Sequence, residues 1–144
     1  MADQDQATQF LAKVPLFRSL KKGQLQSLAG SMVDREYKPG EEMVTQGEGG
    51  IGLYIVTSGK AEAVHTRADG SKAVVNVFGP TDFFGELAVL NDEPRTASVI
   101  AVEPTRCMVL SRWEFLSKLR NDADMAVVIL QEMAYRFQRA LQVL

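Results

Sequence analysis

Ala61-Glu62-Ala63-Val64-His65-Thr66-Arg67-Ala68-Asp69-Gly70-Ser71-Lys72-Ala73-Val74-Val75-Asn76-Val77-Phe78 decides how the chain is read. Ala61–Thr66 and Ala73–Phe78 are rich in β-branched and apolar residues, and Ala68-Asp69-Gly70-Ser71 lies between them. Asp-Gly is a hairpin signal, because glycine reaches positive φ without steric cost. The pattern extends outward in both directions. Further strands are predicted at Val33–Lys38, Glu42–Gln46, Gly52–Thr57, Ala97–Ala101 and Thr105–Leu110. Pro39-Gly40, Gly47-Glu48-Gly49-Gly50, Ser58-Gly59 and Gly79-Pro80 punctuate them. Many short strands with tight turns indicate a sandwich or small barrel.

Both flanks change period. Phe10, Leu11 and Val14 precede Pro15, and Leu16, Phe17, Leu20, Leu25 and Leu28 follow up to Gly30. Proline disfavours helix at Val14, so two helices with a turn between them are expected, Ser19 capping the second. After Leu110, Trp113, Leu116 and Leu119 predict a short helix capped by Ser111. A break at Asn121-Asp122 follows. Met125, Val128, Ile129, Met133, Phe137, Ala140, Leu141 and Leu144 then recur at helical steps over about 30 Å. Residues 1–144 therefore read as one domain, with helices in 1–31, strands in 32–110 and helices in 111–144.

Bulk properties narrow the function classes. The chain has 144 residues, 46% hydrophobic and 24% charged, enough for one domain with a substantial core. Its net charge of −2 provides no basic field for nucleic acid, so direct nucleic-acid binding is not expected. Cys107 is the only cysteine, which rules out an internal disulfide and points to a reducing, cytoplasmic compartment. The acidic, polar Met1-Ala2-Asp3-Gln4-Asp5-Gln6 is unlike a signal peptide and is read as a native start. No apolar run approaches the roughly 20 residues that span a bilayer, so no membrane partner is expected. His65 is the only histidine, expected at a surface strand end, and cannot found a histidine-cluster metal site. Cys107, within an apolar strand, is expected as a buried small hydrophobe.

One inter-strand segment carries chemistry: Phe83-Phe84-Gly85-Glu86-Leu87-Ala88-Val89-Leu90-Asn91-Asp92-Glu93-Pro94-Arg95-Thr96-Ala97-Ser98-Val99. Leu87–Leu90 fits a single helical turn, whose N-terminus offers unpaired N–H groups and a positive dipole end to an anion. Gly85 lets the backbone approach a ligand. Arg95 supplies a planar fork of donors matched to phosphate oxygens. Glu86 would repel phosphate and is read as an acceptor for a sugar hydroxyl. Taken singly, Arg95 would pair on the surface with Asp92 or Glu93, and Glu86 would be solvated. Together they call for one phosphate and a free ribose hydroxyl in a tight unit.

Phe84-Gly85-Glu86-Leu87-Ala88 followed by Pro94-Arg95-Thr96-Ala97 resembles the phosphate-binding cassette of cyclic nucleotide-binding domains. Such domains occur in kinase regulatory subunits, gated channels and bacterial catabolite activators. Similar glycines stand in Lys38-Pro39-Gly40-Glu41, Gln46-Gly47-Glu48 and Ser58-Gly59-Lys60. The fold expected is α+β, mainly β: an eight-stranded double-stranded β-helix, or jelly-roll barrel, with N-terminal helices and a C-terminal helical lid. The resemblance implies a cassette over 84–97 in which Arg95 pairs with exocyclic phosphate oxygens and Glu86 accepts from the ribose 2′-hydroxyl. Backbone groups from Phe84 through Gly85, Leu87 and Ala88, and again at Thr96 and Ala97, would contact sugar and phosphate. Thr96 can bond a cyclic phosphate oxygen or the amino group of a syn guanine, so cAMP and cGMP both stay open. Arg136 resembles a base-contacting arginine of the channel subfamily. Bacterial activators place hydroxyl residues about one turn later, where this chain has Ala140 and Leu141. Phe137 or Leu141 could cap the base by apolar contact instead.

The function expected is a non-catalytic cyclic nucleotide receptor without cofactor or metal. Ligand draws the cassette inward, a hinge around Ser111–Asn121 closes the last helix, and an effector protein or a further domain reads the change. The stripe Met133-Phe137-Leu141-Leu144 either packs on the β region or forms a homodimer interface. Three rivals compete. A barrel enzyme needs clustered histidines and carboxylates. A ligand-free interaction domain would be expected to lose Glu86 or Arg95. A DNA-binding regulator fragment needs a recognition helix beyond Leu144.

Overall fold

Antiparallel pairing gathers the strands of the computed structural model into two four-stranded sheets, and residues 4–49, 52–85 and 94–142 are described. In chain order the elements are α1 (Gln4–Leu11), α2 (Lys22–Ser31), β1 (Val33–Tyr37), β2 (Glu42–Val44), β3 (Gly52–Ser58) and β4 (Ala61–Thr66). They continue with β5 (Lys72–Phe78), β6 (Phe83–Phe84), β7 (Ser98–Ala101), β8 (Thr105–Ser111), α3 (Arg112–Asn121) and α4 (Ala123–Gln142). One sheet has the order β1-β8-β3-β6 and the other β2-β7-β4-β5. Among the described residues hydrogen bonding therefore closes no barrel. The chain clusters into two compact units, Met32–Arg112 and the pair Met1–Ser31 with Trp113–Leu144.

In the β unit, consecutive strands alternate between sheets except at β4–β5, the hairpin set by Asp69-Gly70. Gly70 has φ +87°, and Asp69 Oδ1 accepts from the Ser71 backbone N–H at 2.9 Å. β3 is buried from Gly52 through Val56, so the in-and-out alternation expected of a half-exposed strand is lost. Met43, Val44, Tyr54, Val56, Ala61, Ala63, Phe78, Phe84, Val99, Ala101 and Cys107 form one core cluster drawn from both sheets. Each large apolar side chain there contributes about 1.5–3 kcal/mol, whereas an exposed ion pair such as Arg106–Glu36 contributes about 0–1 kcal/mol. The core, not surface charge, holds the sheets.

β6 has no counterpart in the strands predicted from sequence. Its two residues pair with β3, Phe84 opposite Tyr54 and Phe83 opposite Ile55, and two residues are too few to show a period. The turn feeding it contains Thr81 at φ +76°, an unusual conformation for a β-branched residue. Two bonds of 2.9 Å hold that turn on β3, Thr81 N–H to Val56 O and Val56 N–H to Asp82 O. β2 and β7 are shorter than expected, ending at Val44 and starting at Ser98. There the Gln46 N–H donates to Ser98 Oγ at 2.9 Å, and a side chain replaces main-chain pairing.

In the helical unit Ser19 is not the cap of α2. The helix starts at Lys22, Leu25 N–H donates to Lys21 O, and Gln24 Oε1 accepts from the Lys21 N–H at 2.9 Å. This is half of a capping box, built two residues after Ser19. Ser111 ends β8 and directly precedes α3. Asp122 caps α4: its Oδ1 accepts from Met125 N–H at 3.0 Å and its Oδ2 from Gln24 Nε2 at 3.1 Å. Lys118 Nζ to Ser27 Oγ, 2.9 Å, adds a tie between α3 and α2. Among the described residues no helix is long and apolar enough to cross a membrane.

The Met125 N–H and then the Gln24 amide hold the Asp122 carboxyl below its ordinary pKa. A depressed folded-state value stabilises the fold above the unfolded pKa, and that contribution is lost as pH falls through the folded value. Asp122→Ala should therefore lower Tm at pH 7, and Asp122→Asn should lower it less. Thermal unfolding by circular dichroism should show the gap between wild type and Asp122→Ala shrinking below about pH 4. A gap of constant size from pH 7 to pH 3 would exclude this cap.

Candidate functional site

Arg95 is a charged residue only 7% exposed, and neighbouring elements fix it at both backbone and side chain. The turn Thr45-Gln46-Gly47-Glu48 is closed by Glu48 N–H to Thr45 O, 3.1 Å, with Gly47 at φ +87°. It grips the Arg95 backbone twice at 2.8 Å: Gly47 N–H donates to Arg95 O, and Arg95 N–H donates to Glu48 O. An isolated bridge between Gly49 and Pro94 extends the grip by one residue. Glycine in this turn thus serves the arginine directly.

The guanidinium lies on an aromatic stack. Arg95 Nη2 donates to Gly52 O at 2.9 Å, and its central carbon sits 5.9 Å from the Tyr54 ring centroid. Tyr54 stacks on Phe84 at 4.9 Å and 9°, and Phe84 meets Phe78 at 5.0 Å. Gly85 follows with φ +94°. A Cβ there would overlap Arg95 Nη1 and stand 2.6 Å from Gly52 O. Gly85 is therefore required twice, by its backbone conformation and by the guanidinium beside it. The sequence assigned its close approach to a ligand; the structure shows a close approach to Arg95.

Burying a guanidinium costs several kcal/mol unless its donors are matched, on the order of the penalty for any desolvated ion. The Gly52 carbonyl accepts one of its hydrogens and the Tyr54 ring lies beside its charge. Two groups of the same core that could ionise, Tyr37 and Cys107, are held neutral. Burial, then the neighbouring Tyr54 and Cys107, pushes the Tyr37 hydroxyl up to about 12. Burial alone pushes the Cys107 thiol up to about 12. As a protonated thiol Cys107 is no nucleophile near pH 7. Among the described residues no group of three or more His, Cys, Asp or Glu could hold a metal ion.

The structure brings Phe84, Gly85 and Arg95 together. Thr96 is exposed and Ala97 half-buried where the chain enters β7. Glu86, Leu87 and Ala88 lie outside the described residues, as do Asp92 and Glu93. Arg136 is exposed on α4, in the helical unit. The parts that Tyr54, Gln46 and His65 play around Arg95 and Thr96 escaped the sequence reading. Tyr54 sits within an ordinary-looking strand, and only its register opposite Phe84 reveals its part. His65 is half-buried, not a bare surface residue, and its Nδ1 donates to Thr96 O at 2.8 Å.

Comparison with known proteins identifies relatives of the chain. The model of the cyclic nucleotide-binding domain matches residues 34–122. The cAMP-dependent protein kinase regulatory subunit of Dictyostelium discoideum is 36% identical over 110 residues, 74% of this chain and 34% of that protein. The chain thus spans about a third of that relative's length. The N-terminal domain of a transcriptional regulator from Streptomyces coelicolor A3(2) superposes with a TM-score of 0.81 at 29% identity, covering 91% of this chain and 94% of that one. The regulatory domain of Toxoplasma gondii PKA, solved with cAMP, gives a TM-score of 0.81 at 28% identity over 92% of this chain and 50% of that one.

Gly85 can be tested against a glycine of the same conformation in open space. Gly40 has φ +88° and nothing within 4 Å of a notional Cβ. Gly40→Ala should cost about 1 kcal/mol from strain alone, and Gly85→Ala about 2–3 kcal/mol or more. Urea unfolding of both variants measures the difference. Equal losses would mean that Arg95 does not press on Gly85.

Proposed function

The chain belongs to the cyclic nucleotide-binding domain family, and from that premise we propose that it is a non-catalytic receptor for cAMP or cGMP. The observation carrying this reading is the buried Arg95 guanidinium, set on Tyr54 and Phe84 behind Gly85, with its backbone gripped by Gly47 and Glu48. A fixed, desolvated fork of donors suits a phosphate that arrives with its own charge. In this reading Arg95 holds the exocyclic oxygens and Glu86 accepts from the ribose 2′-hydroxyl. Backbone groups of Gly85, Leu87, Ala88, Thr96 and Ala97 complete the cradle. The protonated Tyr37 and Cys107 support binding rather than catalysis. The Dictyostelium relative is named for cAMP dependence and the Toxoplasma domain was solved with cAMP, which favours cAMP. The strand orders β1-β8-β3-β6 and β2-β7-β4-β5 support a double-sheet jelly roll.

Signalling in this reading is a population shift toward a state with α4 closed over the base, hinged in 111–121 and passed to a partner protein or further domain. Arg136 is the candidate contact to the base. Two titrations test the scheme. Calorimetry should show the wild type binding at least one of the two nucleotides, and Arg95→Ala should weaken binding by about 2–5 kcal/mol. Trp113, the single tryptophan, is 78% exposed at the start of α3, so its emission should shift on binding. Unchanged affinity in Arg95→Ala removes the site assignment, and unchanged emission removes the hinge.

The partner need not be foreign. On α4, Val127, Leu130, Ala134, Phe137 and Leu141 recur at alternating three- and four-residue steps and are all exposed. This is the spacing of a coiled-coil seam. The positions flanking it, Gln131, Met133, Gln138 and Ala140, carry no charge to repel a second copy, and Arg136 lies off the seam. A homodimer through α4 follows from this pattern. Sedimentation should show a concentration-dependent dimer that Phe137→Glu reduces to monomer; a wild-type monomer at all concentrations overturns it.

A further inference from the structure

At the end of β4, main-chain pairing gives way to side chains. The β4–β7 ladder stops at Val64 opposite Ser98, which would place Thr66 opposite Thr96 two residues further. Thr66 is already occupied. Its N–H donates to Gln46 Oε1 at 2.8 Å, and its carbonyl accepts from Gln46 Nε2 at 2.9 Å. The Gln46 backbone N–H in turn donates to Ser98 Oγ. One glutamine therefore clamps the end of β4 and the start of β7 at a fixed separation. From that clamped end the His65 ring reaches Thr96 O at 2.8 Å.

We infer that His65 is a positioning residue for the anion site: without touching ligand, it fixes the peptide that joins Thr96 to Ala97 in the orientation that binding needs. The inference rests on the reading of Arg95 as the phosphate-holding group. Arg95 is gripped at both its N–H and its carbonyl by the Thr45–Glu48 turn and at its guanidinium by Gly52 and Tyr54. The next residue, Thr96, is exposed and precedes β7, so no ladder bond orients it. The imidazole supplies the missing constraint. A carbonyl only accepts, so Nδ1 carries a proton. Because Thr96 is exposed, water replaces the ring when the bond is lost. The fold then keeps its stability while the cradle loses its orientation, which separates positioning from structural support.

The test uses the whole chain and both nucleotides as probes. Long-range proton–nitrogen spectra of the wild type, which contains one histidine, should show a proton on Nδ1. His65→Leu should weaken binding of the bound nucleotide about five-fold, the worth of one net hydrogen bond, with Tm unchanged. His65→Asn, whose amide places a donor near the former Nδ1, should recover most of the affinity. An Nε2–H tautomer, a His65→Leu variant binding like wild type, or a His65→Asn variant as weak as His65→Leu each overturns the inference and leaves the Arg95 assignment standing. A wild type that binds neither nucleotide removes both.

Discussion

A guanidinium buried in a β core has to be paid for, and the structure around Arg95 is organised to meet that cost. Its side chain lies on an aromatic face backed by two further rings, one hydrogen bond goes to a main-chain carbonyl, and its backbone is gripped on both sides. These constraints propagate. Phe84 must sit opposite Tyr54, so a two-residue strand is added at the edge of one sheet. Gly85 must be glycine, and the turn after β2 must bend at Gly47. A rigid donor set reorganises little on meeting an anion, which is the physical advantage of holding a charge this way.

Much of this was legible in the sequence, for identifiable reasons. The Asp69-Gly70 hairpin appears where expected, with β5 starting one residue early at Lys72. Local rules governed it: turn chemistry and short-range alternation need no knowledge of distant residues. Arg95 and Gly85 were identified as parts of one site, although the contact between them was not foreseen. β6, the Tyr54–Phe84 stack and the His65–Thr96 bond were not legible. Each depends on register between strands far apart in the chain, and no window of sequence contains both partners. The Ser19 cap failed differently. Both Ser19 and Gln24 offer capping groups, and the start of α2 at Lys22 gave the position to Gln24.

Two ionisable side chains of the β core are held neutral. Tyr37 and Cys107 stay protonated because ionising either would require an anion in an apolar surrounding. Neither adds a negative charge to the core in which the Arg95 guanidinium is buried.

The sheet order also bears on how the molecule is made. β8, the last strand in the chain, lies in the middle of its sheet, between β1 and β3. Val33 finds its partner only in Val109, and Tyr54 is flanked on one side by Val109. During synthesis the sheet that supplies Tyr54 and Phe84 is split until residue 111 has left the ribosome, while the β4–β5 hairpin is free to form much earlier. Long-range closure of this kind slows folding. It also makes assembly nearly all-or-none: a chain stopped before β8 keeps a hairpin but lacks the central strand of the sheet on which the arginine rests.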